Sequence, residues 1–473
     1  MRPLQRQTRL PSKTKRLRLQ GSWRNRAIVP AWLCHSGSIA ILCVVAKKAD
    51  CRFAKCASPT SESVDLDPIS ENGERDAGVS RAISGRLFGI AVLAFVSLGL
   101  PDGTLGVAWP SIKDTFGLPI SSLGVLLSAG AVGYLISSSQ SGHLLARLGV
   151  GRLLFWSTVL TASAALVYAF SPAWPALVVF ATVGGLGAGA IDAGTNAYAA
   201  SNFSPARVTW LHASYGIGAA AGPMLMSWVL ERRYPWQTGY MGIGAALAAM
   251  AVLFWFSRPL WSNGRDAPVA PEKAAETFRI RDALARRSVW FGVSLFFLYA
   301  GLESTVGQWA FSLLTIAREW DEQTAGFAVS VYWCSLTAGR ILFGIAAHRF
   351  SATAIIRFGM LLAPPAALML MATDHTIAAF LGLGLIGFAF APVFPCMIVE
   401  TPSRVGDPLA HHAIGLQVSA AYLGMAAIPS LIGVLARFEG LEVMGPFLLI
   451  GAIMLLVLHE ASVRSARTIP ATQ

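Results

Sequence analysis

From Leu87 onward the chain is a succession of apolar runs, each about long enough to cross a bilayer, separated by short polar turns. The runs cover 87–110, 120–145, 152–170, 174–200, 208–230, 238–257, 289–314, 323–347, 353–372, 376–398, 412–436 and 442–459. Roughly 20 helical residues span the hydrocarbon core. The runs lack the polar–apolar alternation of barrel strands, and hydrocarbon offers no partner to an unpaired backbone group. The pattern therefore predicts an all-α integral membrane protein with 12 transmembrane helices.

One polar stretch is longer than the rest. Residues 258–287 hold Asn263, Gly264, three Pro and the basic cluster Arg279, Arg281, Arg286 and Arg287. It divides the body into a first six-helix half, 86–257, and a second, 288–460, with a short tail at 461–473. The halves repeat each other. Asp102, Thr104 and Gly106 return as Glu303, Thr305 and Gly307, each 201 residues later. Gly142 and Arg147 return as Gly344 and Arg349 after 202 residues, and Gly218 and Pro223 as Gly424 and Pro429 after 206. Parallel six-helix repeats place a substrate near the midplane, between the halves.

Charge adds an orientation. With the N-terminus inside, the inner loops hold Arg147, Arg152, Arg207, Arg258, the linker cluster, Arg349 and Arg404, while the outer loops hold Lys113, Arg232, Arg233, Arg318 and Arg437. That bias puts both termini in the cytoplasm and the protein in the cell (inner) membrane. Only 13% of residues are charged and 54% are hydrophobic, against ~25% charged in soluble domains. Of the net charge of +12, residues 1–86 carry +9. This N-terminal extension, 1–85, has no acidic residue before Asp50 and no nucleic-acid-binding motif, so no nucleic-acid partner is expected. Its Arg-rich, acid-poor start fits a targeting segment, a cytoplasmic tail, or sequence upstream of the true start. Four of the six Cys (Cys34, Cys43, Cys51, Cys56) lie there without metal-ligand spacing; Cys334 and Cys396 lie in apolar runs. Free thiols are expected, with neither metal nor cofactor. The chain has no HExxH, no G-x-S-x-G and no nucleotide loop, which argues against an enzyme.

The segment Gly142–Arg152, Gly-His-Leu-Leu-Ala-Arg-Leu-Gly-Val-Gly-Arg, resembles the cytoplasmic signature of the major facilitator superfamily, with Ala146 where the usual Asp stands. Leu-Pro-Asp-Gly at Leu100–Gly103, Gly-Leu-Gly-Ala-Gly-Ala-Ile-Asp-Ala-Gly-Thr-Asn at Gly185–Asn196, the span-7 segment Tyr299–Trp309 and the span-8 segment Tyr332–Arg340 are similar to the fucose permease-like branch of sugar:proton symporters. The resemblance covers about 86–460. It implies the major facilitator fold, two six-helix repeats working as a monomer, and a sugar-like solute and a proton as partners. It places Asp102 and Asp192 where the fucose permease has membrane carboxylates, and makes Gly142, Arg147 and Arg349 gating or structural positions. Ala146 removes the usual Asp-based gating contact.

Three carboxylates stand within spans: Asp102, Asp192 and Glu303. A charge in hydrocarbon costs a few kcal/mol, so such residues face a cavity and carry function. Taking a carboxylate out of water favours its protonated form, and a group alternating between wet and closed surroundings can load and release a proton. Asp102 and Asp192 are assigned this role, with helix capping as the plain alternative. Pro101 is expected to open span 1 beside Asp102. Asn196, four residues after Asp192, either meets a solute hydroxyl or holds Asp192. Glu303, Gln308 and Trp309 offer span 7 a carboxylate, an amide and a ring for a sugar's apolar face, and Tyr332 joins them as a substrate-side group. Trp309 has the alternative of lipid or interface packing. Arg340 needs a carboxylate or carbonyl, with Glu303 the nearest by span order. His212 is a relay or a satisfied buried His. These features lead to proton-coupled uptake of a sugar or similar solute. The alternatives are a drug or metabolite antiporter, suggested by Gly218–Pro223, and more remotely a membrane receptor or enzyme.

Overall fold

A computed structural model describes residues 71–262, 280–372 and 375–467 of the chain. Most of the expected N-terminal extension (1–70), residues 263–279 of the expected linker and 468–473 of the tail lie outside the described residues.

The described chain is helical throughout. The helices are α1 (Glu71–Asp102), α2 (Thr104–Phe116), α3 (Leu123–Ser139), α4 (Ser141–Phe170), α5 (Trp174–Asn202), α6 (Pro205–Glu231), α7 (Trp236–Ser262), α8 (Ile280–Leu284), α9 (Arg287–Ser312), α10 (Glu322–Ala346), α11 (Ala352–Met371), α12 (Thr376–Phe390), α13 (Val393–Val405), α14 (Asp407–Glu439) and α15 (Met444–Arg467). Eleven helical stretches are long and apolar enough to cross a membrane. The predicted fifth span is α6, a 27-residue helix outside those eleven. Its His212, Ser214, Tyr215 and three glycines dilute its apolar content. It nevertheless packs within the bundle, between α1 and α10.

Two predicted spans are split. The first breaks at Gly103, between α1 and α2, two residues after Pro101. The tenth breaks at Ala391–Pro392, between α12 and α13. In both, a proline lacks the N–H that would continue the ladder. The segment after span 2 also differs from a simple loop. It is helical from Ser141, and its break is Gly149 at φ 70°, a left-handed conformation that favours glycine. Gly142 and Arg147 lie exposed on the turns before that break.

Helix starts follow ordinary capping chemistry. Asp321 accepts from the Thr324 backbone N–H at 2.9 Å at the head of α10. These hydrogen bonds hold the exposed Asp321 carboxyl below the usual carboxylate range. Ser351 does the same for Ala354 at the head of α11, at 3.3 Å.

Glycine lets the helices approach to backbone contact. A methyl on Gly218 would lie 2.2 Å from the Val96 carbonyl oxygen, and one on Gly424 would lie 2.0 Å from that of Phe297. Val96 and Phe297 are themselves 201 residues apart, so the sequence repeat reappears as the same packing contact made twice. Between helices before and after 263–279, α2 packs on α9, α3 on α14 and α6 on α10. At this seam the would-be Gly106 methyl meets the Gly307 oxygen at 2.5 Å, and that of Gly124 meets Ser430 Oγ at 2.7 Å. These contacts lie at mid-bundle and toward the end where α2 finishes and α3 begins.

Candidate functional site

Inside the bundle lies a cavity of about 270 Å³. Its wall includes Asp102, Asp192, Glu303 and Gln308 together with Tyr134, Tyr168, Tyr215, Tyr240, Trp333 and Tyr422. Most of these come from α1 to α7; α9, α10 and α14 close the remaining side. The three carboxylates picked out in the sequence thus converge on one space.

Asp102 is the last residue of α1, open to the cavity. Its Oδ2 accepts from the Tyr215 hydroxyl of α6 at 2.7 Å. Beside the break at Gly103, its backbone carbonyl accepts from Gln308 Nε2 of α9 at 3.0 Å. The helix interruption therefore provides a point where the seam is hydrogen-bonded as well as packed. The Gln308 side chain is otherwise buried on the cavity wall.

Asp192, in the middle of α5, gathers three donors. Asn196, one turn on, donates from Nδ2 to Oδ1 at 2.7 Å, so it holds the carboxylate. Tyr134 of α3 and Tyr422 of α14 both donate to Oδ2, the latter at 2.9 Å. The two tyrosine rings stack with centroids 3.4 Å apart and planes at 22°.

Glu303 has a different environment. Arg340 Nη2 of α10 lies 3.3 Å from its Oε1, with both side chains 14% exposed. Tyr299, one turn earlier on α9, donates to Oε2. Tyr332 donates to the Glu303 carbonyl at 2.8 Å. The Arg340 guanidinium also lies 5.9 Å from the Tyr215 ring, beside the Asp102 group. Among the described residues neither Asp102 nor Asp192 has a cation within ion-pair distance.

Several expected site residues lie elsewhere. Trp309 is fully buried; its indole N–H donates to the Pro429 carbonyl at 2.8 Å and its ring packs against Gly433. It is a wedge between α9 and α14, off the cavity wall and away from lipid. Tyr332 is likewise buried and off the wall, where its hydroxyl fixes the backbone at Glu303. The His212 ring sits edge-on to Phe95 at 5.3 Å and does not line the cavity. Arg147 is exposed in the first turns of α4 and Arg349 in the turn after α10, and a methyl on Gly142 would meet nothing within 4 Å. The sequence reasoning missed the tyrosines. Tyr299 and Glu303 stand four apart on one helix, a legible signal. Tyr134, Tyr215 and Tyr422 lie 58, 113 and 230 residues from their carboxylates, and spacing gives no hint of them.

The chain is similar to several known transporters. It is 25% identical over 353 residues to the glucose/mannose transporter GlcP of Bacillus subtilis, covering 73% of this chain and 86% of that one. It is 23% identical over 383 residues to the sodium-dependent glucose transporter 1A of Mus musculus, covering 72% and 88%. Among solved structures, the nucleoside transporter NupG superposes with a TM-score of 0.66 at 15% identity, over 79% of this chain and 98% of that one. A bacterial homologue of the lysosomal transporter Spinster, in an inward-facing and occupied conformation, gives 0.65 at 12% identity, over 82% and 99%. The profile of the Major Facilitator Superfamily matches residues 88–429. The chain is a multi-pass membrane transporter of the Major Facilitator Superfamily and not an enzyme.

Proposed function

We propose that the protein takes up a sugar or a similar small polar solute together with a proton, by alternating access between the six-helix sets 86–257 and 288–460. The observation that carries this reading is a small cavity faced by two carboxylates, Asp102 and Asp192, that have hydroxyl and amide donors but no cation. A carboxylate so placed can hold a proton in one state and give it up in another. At about 270 Å³ the cavity is just below the ~300–1,000 Å³ of drug-sized sites, which favours a small solute. Hydroxyls, an amide and aromatic faces match a solute with hydrogen-bonding edges and an apolar C–H face. Two relatives named for glucose transport support the sugar class.

In this reading Asp102 and Asp192 carry the proton, Gln308 and Glu303 face the solute, and Asn196 holds Asp192. Arg340 compensates Glu303, and the protein works as a monomer in the cell membrane. With both termini cytoplasmic, the packed seam of α2, α3, α9 and α14 closes the outer face. Sodium is a second candidate ion, on the strength of the mouse relative's name. The Gly218–Pro223 segment, which suggested an antiporter, has a packing role here. Gly218 and Gly222 fit against the carbonyls of Val96 and Leu100, and the Pro223 ring would meet a methyl on Gly103 at 2.7 Å.

The test is reconstitution in liposomes with an internal pH dye, in sodium or choline buffer, with external hexoses and then cationic drugs. Hexose-driven internal acidification without sodium, lost in Asp102→Asn and Asp192→Asn, is the expected result. Proton movement driven by drugs and by no hexose would overturn the reading.

A further inference from the structure

The Tyr134–Tyr422 stack joins the two helix sets at a carboxyl group proposed to carry a proton. Asp192 and Tyr134 belong to α5 and α3, which are locked together by backbone contact. A methyl on Gly133 would sit 2.0 Å from the Thr182 oxygen, and one on Gly185 2.0 Å from the Gly130 oxygen. Tyr422 comes from α14, on the far side of the seam. The contact lies toward the ends of α3 and α5 that adjoin Gln140 and Phe203, opposite the end packed by α2 and α9.

We infer that Tyr422 is the positioning residue through which the second helix set senses the proton on Asp192, and that its stack with Tyr134 shuts the cavity on that side. The inference rests on Asp192 being a proton carrier, as proposed above. Its basis is donor and acceptor arithmetic. An ionised carboxylate accepts from all three neighbours: Asn196 on Oδ1, Tyr134 and Tyr422 on Oδ2. Asn196 already donates to Oδ1, so we place the proton on Oδ2; that oxygen then becomes a donor with one lone pair left, and the two tyrosine hydroxyls can no longer both donate to it. Tyr134 cannot withdraw, because α3 is fixed to α5. The bond that gives way is Tyr422's, and with it, among the described residues, the only side-chain hydrogen bond that Asp192 makes across the seam. The other titratable groups facing Asp192 are Asp102 from α1 and His212 from α6; α4 brings Thr161 and Tyr168 to the same cavity. Glu303 of α9 lines the cavity from across the seam but makes no hydrogen bond to Asp192, so among the described residues the hydrogen-bonded link from Asp192 across the seam is Tyr422's.

The experiment needs no transported solute. Ala131 lines the cavity, so Ala131→Cys in a full-length variant lacking the six native cysteines reports its opening to a membrane-impermeant thiol reagent. Rates are compared between variants at one pH, since the thiolate fraction itself changes with pH. At pH 7.5, Tyr422→Phe is expected to label about tenfold faster than its parent, the order expected for one charge-assisted hydrogen bond. Asp192→Asn should do the same, and Tyr134→Phe should have a smaller effect. Equal rates for parent, Tyr422→Phe and Asp192→Asn would overturn the inference, whatever the liposomes show. Absence of solute-driven proton uptake in the parent would instead sink the symport reading while leaving the labelling test decisive for the gate. Tyr422→Phe keeps the ring and removes one oxygen, and a monodisperse elution profile verifies its fold.

Discussion

Asp102 and Glu303 stand 201 residues apart at matching places in the two repeats, one turn before glycines that touch each other across the seam. Their carboxylates are nevertheless satisfied by different chemistry. Glu303 is paired with Arg340 and further held by Tyr299. Asp102 has the Tyr215 hydroxyl and an open face on the cavity. The first has a cation beside it in place. The second has nothing to cancel its charge except a proton or a solute donor. Duplicated positions have thus diverged, one carboxylate held by a cation and the other by a hydroxyl on an open cavity. Beyond residue 287 further cations are paired in the same way: Arg318 with Glu442, Arg357 with Glu460 and Arg404 with Glu400.

The comparison can be broken most severely at the Glu303–Arg340 pair. Glu303→Gln leaves the Arg340 guanidinium enclosed without a counter-charge, and should cost about 3–5 kcal/mol, read as a lowered unfolding midpoint in detergent. Adding Arg340→Met should recover most of that loss; no recovery would mean that Glu303 is held by something other than its cation. Next in size is the seam. A methyl in Gly106→Ala would fall 2.5 Å from the Gly307 oxygen and 2.8 Å from the Gln308 Cα, so about 1–3 kcal/mol should be lost from the closed end. Spin labels at Asp114 and Glu319 should then report a longer separation, and an unchanged distance would show that the backbone contact is not what holds that end. A smaller effect is expected from Trp309→Phe. It should cost about 1 kcal/mol through the lost hydrogen bond to Pro429 and leave solute affinity unchanged. Weakened affinity would put the ring back in the site. The smallest change in stability belongs to Asp102→Asn, which orphans no cation and should stay within about 0.5 kcal/mol. The same variant should abolish solute-driven acidification while solute exchange continues.

The bundle was largely legible in advance because hydrocarbon imposes a simple rule on sequence: long apolar runs must be helices. The rule weakened where glycine and hydroxyl residues replaced large apolar ones, as in α6. Carboxylates in such runs stand out by their cost, so Asp102, Asp192 and Glu303 could be picked out and do share a cavity. Their partners could not be found the same way. A tyrosine in an apolar span carries no penalty that marks it, and Tyr422 is 230 residues from the carboxylate it bonds. Trp309 misled for a related reason. Its chemistry suits a sugar face, but Gly433 opens a slot for its ring and Pro429 turns a carbonyl toward its N–H. Neither is visible without the fold.

The contact between Gly106 and Gly307 has a kinetic consequence. Where two helices meet through bare backbone, no side chains interlock and no rotamers have to be released when they part. Such a surface can separate and re-form with little friction. The size of the residue at this point should therefore set how many times per second the protein turns over, rather than how tightly it holds its cargo.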